Sequence, residues 1–230
     1  MSIESNSSKY PKDEINLCLM NKVMRHRLRN LCAGVKMTVD RISSTTAGTH
    51  PQIPSRCKII ASELDNLELF TERMDLLFDA PPKHERKSLF EVITELREFF
   101  SKSFAFNSLE FVGAEENIVI EHGTWIFIAL KELLKNAGEA SENNAAIKLS
   151  WTKGTGLEFS IANSSGKIPD EIPIDPPAPF NTLRSRHDGI GLAIAWRFCK
   201  ETDSEMTINN NLDDGVEVKI KLPQKELVDE

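Results

Sequence analysis

Four short stretches of the chain carry residue types whose spacing could do chemistry. In VMRHRLRNL, Val23 to Leu31, His26 stands among Arg25, Arg27 and Arg29. Fixed positive charge pushes an imidazole towards its neutral form, which suits a nucleophile that must attack something negatively charged. The same nine residues also suit a solvated basic helix face that carries one histidine. In LKELLKNAGEAS, Glu132 and Asn136 stand four residues apart and so share a helix face. Hard oxygen ligands at that spacing can hold Mg²⁺ and its waters; a solvated helix edge would look the same. In DGIGLAIAWRF, Gly189 and Gly191 run straight into a helix. Glycines there let the backbone approach a ligand, and a helix N-terminus offers unpaired N–H groups to a phosphate; packing alone also explains such a start. In FSIANSSGKIP, Asn163 follows an apolar strand and Gly166 comes shortly after. A side chain in that place can read a base edge, or it can serve as an ordinary turn former.

Periodicity supplies the elements that must position these residues. From about Asp13 to Ser44 the pattern is helical. Leu17, Met24 and Leu31 interleave with Leu28, Val35 and Ile42 in one apolar stripe suited to a helix bundle. Gly48, Pro51 and Pro54 break this helix, and a second runs from about Ser55 to Phe78. Pro81 and Pro82 then mark a linker. Such a hairpin has too little core to stand alone and is expected to pair with a second copy as a four-helix bundle. After the linker the texture changes to helices interleaved with hairpin-linked strands. Ser88 to Ser101, GTWIFIALKELLKNAGEAS and GIGLAIAWRFCKET read as helices; SLEFVG, NIVIEH, AIKLSWTK, GLEFSIAN, EMTINNN and VEVKIKLP read as strands, with turn signals at Gly154, Gly156 and DDG. An irregular, Pro-rich stretch from about Pro169 to Arg186 is long for a connector and suits a lid. Arg184, Arg186 and His187 would put positive charge there beside a phosphate. The expected fold class is α+β: residues 1–12 a loose tail, 13–80 an antiparallel helical hairpin, 81–87 a linker, and 88–225 an α/β sandwich with a mixed sheet and helices on one face.

The bulk properties remove several function classes. A net charge of -7 argues against a general nucleic-acid binder, which needs surplus Lys and Arg for phosphate backbones. Cys18, Cys32, Cys57 and Cys199 form no C-x-x-C pair, so neither a zinc site nor a disulfide framework is expected. No apolar run reaches the roughly 18 residues of a membrane span, and no signal peptide is visible. The chain reads as soluble, reduced and cytoplasmic, with no membrane partner.

The order of the motifs says more than any one of them. A histidine-bearing hairpin, E-x-x-x-N, N-x-x-G-x-I-P, G-x-G-L-A-I and a closing DDGVEVKIKLP resemble the core of a sensor histidine kinase over about residues 15–223. MRHRLRNL looks like the H box of that family, LKELLKNAGEA like its N box and DGIGLAI like its second glycine box. The resemblance implies a dimerising phosphotransfer hairpin followed by a gyrase- and MutL-type ATP-binding domain. It implies that His26 accepts the γ-phosphate of ATP, that the flanking arginines keep it neutral and receive the phosphate, and that an aspartate of a response regulator receiver domain takes the phosphoryl group on. Asn30 would orient water for phosphatase activity. Asn136 would bind Mg²⁺, with Glu132 at the phosphate end. Asn163 would face the adenine, Gly166, Gly189 and Gly191 would line the nucleotide, and Phe180 would match the aromatic box of the lid. Homodimerisation is implied. With no sensory domain visible, input is expected from another protein, a separate sensory protein, or from the short N-terminal tail.

The chain departs from the family pattern at several positions. Asn163 stands where aspartate is usual, Ser165 and Lys167 stand where glycines are usual, and His187 stands where a further glycine is common. Arg27 follows His26 where many members have an acid. A second reading is a histidine phosphotransfer protein whose degenerate ATP domain serves for docking. A third is an ATP-binding switch of the same fold in which His26 is never phosphorylated; the long histidine hairpin argues against it.

Overall fold

The computed structural model describes residues 12–50, 52–104, 108–114, 117–141, 146–172, 174–182, 188–212 and 215–229. The chain divides into two compact units, Met1–Ala80 and Pro81–Glu230. In the first, α1 (Lys12–Thr46) and α2 (Gln52–Phe78) form the hairpin. Its turn closes where the His50 and Thr49 N–H groups donate to the Thr46 carbonyl, at 2.8 and 3.1 Å, just behind Gly48.

The face of α1 that meets α2 is not the apolar stripe. Arg25, Cys32 and Val39 are buried on α1, and Cys57, Thr71 and Arg73 on α2. Met24, Leu31, Val35 and Ile42 are 53, 59, 37 and 43% exposed, and the Leu17 side chain lies outside the described residues. The reason is electrostatic pairing along the seam. Arg25 donates through Nε to Asp75 at 2.6 Å and through Nη2 to Asp79 at 2.7 Å. Arg29 also holds Asp75, and Lys36 pairs with Asp65 and, at 2.8 Å, with Glu68. The stripe is thus left uncovered by α2, on the flank of α1 beside the seam.

The second unit is built on a five-stranded sheet of order β2-β4-β5-β7-β6. Its strands are β2 (Ser108–Val112), β4 (Ala146–Lys153), β5 (Gly156–Asn163), β6 (Glu205–Leu212) and β7 (Gly215–Pro223). The β2–β4 pair is parallel and the other pairs are antiparallel. Burial alternates along β4 and β7, as one covered sheet face requires. Leu149, Phe159, Ile161 and Ile220 from the strands join Leu96 and Phe100 of α3 (Leu89–Ser103), Ile126, Leu130 and Leu134 of α4 (Gly123–Ala140) and Ile194 and Phe198 of α5 (Gly191–Glu201) in the core. Each such side chain contributes about 1.5–3 kcal/mol on burial. α3 starts at a capping box, Ser88 with Glu91, which holds the Glu91 carboxyl below its usual range through the hydrogen bond from the Ser88 N–H.

A second sheet escaped the sequence reading. β1 (Lys87–Ser88), β3 (Ile118–Ile120) and β8 (Leu227–Asp229) pair in the order β1-β3-β8. β1 takes in the last residue of the expected linker, and β8 lies beyond Lys225. Strands this short carry no readable alternation; they exist because β3 offers both edges. Among the described residues, no helix is long and apolar enough to cross a membrane.

Candidate functional site

The strongest convergence is between α4 and α5. α4 carries Glu132, buried at 6% exposure, and Asn136, half-buried one turn later. Both face Gly191, the first residue of α5. A Cβ on Gly191 would lie 2.8 Å from Asn136 Nδ2, 2.9 Å from its Oδ1 and 3.1 Å from Glu132 Oε2. Glycine is therefore what lets this amide and carboxylate reach the start of α5. The N-cap residue of that helix, Ile190, makes no side-chain cap hydrogen bond. Backbone N–H groups at the positive end of a helix, beside an oxygen-rich pair, suit a phosphate and its cation.

Two further glycines shape the surroundings. Gly189 has φ +65, and a Cβ there would come within 2.9 Å of the Asn181 backbone nitrogen. Its carbonyl accepts the Phe180 N–H at 3.0 Å. This ties Phe180, itself at φ 64 and 48% exposed, to the start of α5. Gly166 has φ +83 and sits against the Ala140 carbonyl at the end of α4, 2.8 Å from where its Cβ would stand. Side chains would clash in both places, and positive φ disfavours them further.

Asn163, the last residue of β5, is 7% exposed and its amide is occupied by the protein itself. Oδ1 accepts the Val216 N–H at 3.0 Å, and Nδ2 donates to the Ser165 carbonyl. The amide thus brackets the β5 exit to the start of β7. An aspartate could accept from Val216 but could not donate to Ser165, so the asparagine is fitted to this loop.

The next part of the loop is held by a residue that sequence reading missed. Asn210 accepts the Ile168 N–H at 2.8 Å and donates back to the Ile168 carbonyl at 2.7 Å. Three consecutive asparagines, Asn209 to Asn211, inside a strand were the available signal, because asparagine disfavours strands.

His26 and Asn30 are both exposed on α1, in the first unit. The expectation that Arg25 and Arg29 serve the imidazole is corrected by the structure. Arg25 is 2% exposed and bound to Asp75 and Asp79, and Arg29 is bound to Asp75. Of the three arginines, Arg27 alone is exposed. The physical reason is helical phase: Arg25 lies about 100° round the helix from His26 and faces α2. Arg184, Arg186 and His187 lie outside the described residues. Cys199 of α5 is no candidate nucleophile, because burial pushes its thiol up to about 12.

Residues 121–226 match the family described as histidine kinase-, DNA gyrase B- and HSP90-like ATPases. Among solved structures, the chain is similar to the catalytic domain of the histidine kinase ThkA, at 26% identity over 61% of this chain and 95% of that one, TM-score 0.54. It shares its fold with full-length ShkA in complex with AMPPNP, at 14% identity over 86% of this chain and 45% of that one, TM-score 0.67. It also shares its fold with the Acinetobacter baumannii histidine kinase AdeS, at 15% identity over 82% of this chain and 94% of that one, TM-score 0.58. No curated protein sequence matches.

Proposed function

We propose that the protein is an ATP-dependent histidine kinase of two-component signalling, with His26 as phosphate acceptor. The observation that carries this reading is the meeting of Glu132, Asn136 and Gly191 at the start of α5, in a chain that also presents an exposed histidine on a helical hairpin. Asn136 would hold Mg²⁺ with Glu132 beside it, and the α5 N-terminus would hold the phosphates. The hydrogen bond from the Phe180 N–H to the Gly189 carbonyl ties Phe180 to the start of α5. Mg²⁺, when bound, offsets the charge on the transferring phosphoryl group. A nitrogen of neutral His26 forms a bond to the γ-phosphorus, the bond to the ADP oxygen breaks, and the imidazole proton passes to solvent, since Arg27 cannot take it. The phosphoryl group then moves to an aspartate of a response regulator. Asn30, one turn from His26, orients water for a separate phosphatase reaction, in which water attacks the regulator's phosphoaspartate, the acyl phosphate bond breaks and inorganic phosphate leaves.

The hairpin works as a homodimer. Met24, Leu31, Val35 and Ile42 form a continuous uncovered stripe, and covering it with the same stripe of a second copy yields a four-helix bundle. A second reading, a phosphotransfer protein with a docking ATP domain, is favoured by one observation: Asn163 spends its amide on its own loop.

Incubation with γ-labelled ATP and Mg²⁺ tests the kinase reading. It expects an acid-labile, alkali-stable phosphoryl group that His26→Ala abolishes. No labelling from ATP, together with labelling of His26 by a phosphorylated regulator, would replace it with the phosphotransfer reading.

A further inference from the structure

The α1–α2 seam is an unusual one. An apolar stripe of α1 stands uncovered while an arginine is driven to 2% exposure. Hydrophobicity alone would turn α1 the other way, putting Met24 and Leu31 against α2 and Arg25 in water. Instead Arg25 forks onto Asp75 and Asp79, Arg29 grips Asp75 from one turn further along, and Lys36 takes Asp65 and Glu68. Arg25 Nη1 is also buried without a hydrogen-bond partner, a cost that tight apolar packing would not carry. Buried ion pairs contribute little net stability, and their best-attested use is to select one register, because a mispaired buried charge is expensive.

That register decides where His26 stands. Successive helical residues are about 100° apart. With Arg25 on the seam, the uncovered stripe lies about 90° to one side, while His26 and Asn30 lie about 100–140° to the other. Turning α1 to bury the stripe would carry His26 to the side directly opposite α2.

We propose that Arg25 is a positioning residue: its fork onto Asp75 and Asp79 fixes the rotational phase of α1, and with it the flank of the hairpin on which His26 meets its phosphate donor. The proposal rests on the reading of His26 as the acceptor, but the phase itself is measurable without any phosphate.

Arg25→Met tests it, because a long apolar side chain fills the seam and removes the buried charge together with its need for partners. Spin labels at the exposed positions Lys22 and Glu72, introduced as cysteines in a Cys18→Ser background, read the α1–α2 phase; Cys32, Cys57 and Cys199 are buried. Labelled full-length protein is diluted with unlabelled chain so that only distances within one chain are read. A narrow distance distribution in the parent is expected to shift or broaden in Arg25→Met, with the melting temperature kept. An unchanged narrow distribution overturns the proposal.

Phosphorylation supplies the second readout. From ATP, labelling of His26 is expected to fall by up to about 100-fold, the scale of an ångström-sized misplacement, with KM for ATP unchanged. Phosphoramidate, a small donor that needs no second unit, should label parent and variant equally. Equal labelling from ATP overturns the proposal. If the parent takes phosphate from phosphoramidate but not from ATP, the kinase reading fails and the distance measurement alone decides. Should Arg25→Met not fold, Asp79→Asn halves the fork and should shift the distance in part, and Arg25→Lys should restore part of the ATP-driven rate; no shift in Asp79→Asn then overturns the proposal.

Discussion

Gly191→Ala separates stability from ligand binding at the α4–α5 junction. The new methyl carbon would stand 2.8 Å from Asn136 Nδ2 and 3.1 Å from Glu132 Oε2, against 3.4 Å at the short end of ordinary contact. The Asn136 amide must therefore retreat by about 0.6 Å, the difference of 3.4 and 2.8. Both clashing groups are ends of flexible side chains, so the backbone need not move. Replacing a glycine inside a helix gains about 0.5–1 kcal/mol; Gly191 is the first residue of α5, where the gain is smaller, so unfolding should occur at about the same temperature. A displaced metal-binding amide should meanwhile weaken Mg²⁺-dependent nucleotide binding by about 10–100-fold. Titration with a fluorescent ATP analogue, with and without Mg²⁺, reads the loss, and a thermal melt reads the stability. Undiminished Mg²⁺-dependent binding in a variant that melts normally would show that Asn136 does not serve the ligand. A drop in melting temperature matching the loss would show that the site is only packing.

Three other substitutions probe the surroundings. Asp75→Asn leaves the buried Arg25 charge with half its partners and should destabilise the hairpin by about 2 kcal/mol near neutral pH. Burial pushes the Asp75 carboxyl up, but hydrogen bonds from Arg29 and Arg25 outweigh it and hold the group below its usual range. Its contribution is therefore complete above an unfolded value of about 3.9 and is lost as the pH falls through the lower folded value. Circular dichroism melts should show the parent and Asp75→Asn converging in acid and parallel from mildly acidic to neutral pH. Asn163→Asp brings in the usual family residue, yet it should cost about 1–3 kcal/mol by denaturant titration, since a carboxylate cannot donate to the Ser165 carbonyl; a gain in stability would contradict the bracket. Leu31→Glu, on the uncovered stripe, should convert a dimer into a monomer in sedimentation velocity, and a dimer surviving it would locate the interface elsewhere.

The sequence was most readable where one element carries its own signal. The 3.6-residue period of α4, the glycine-led start of α5 and the strand pair around Gly154 and Gly156 are local patterns, and each appears within a residue or two of its expected bounds. The site residues on these elements were legible for the same reason: Glu132, Asn136 and Gly191 are fixed by spacing along helices, and packing α4 on α5 brings them together. What could not be read depends on partners far along the chain. The stripe of Met24 and Leu31 was legible as apolar, but whether α2 or another copy covers it turns on which acids meet Arg25 and Lys36 some 30 to 50 residues away. β1 and β8 are too short to have a period. The capture of the Asn163 amide by Val216 spans 53 residues, and nothing in FSIANSSGKIP announces it.

On the proposed function, the α4–α5 site charges His26. Mass spectrometry of peptides prepared at neutral to alkaline pH, after incubation with ATP and Mg²⁺, tests it most directly. One phosphoryl group on the peptide containing His26 is expected, lost when Asn136 is replaced by alanine and unchanged in amount when exposed Lys22 is. A phosphoryl group on any other residue, or an unmodified His26 in protein shown to bind the nucleotide, would contradict the account.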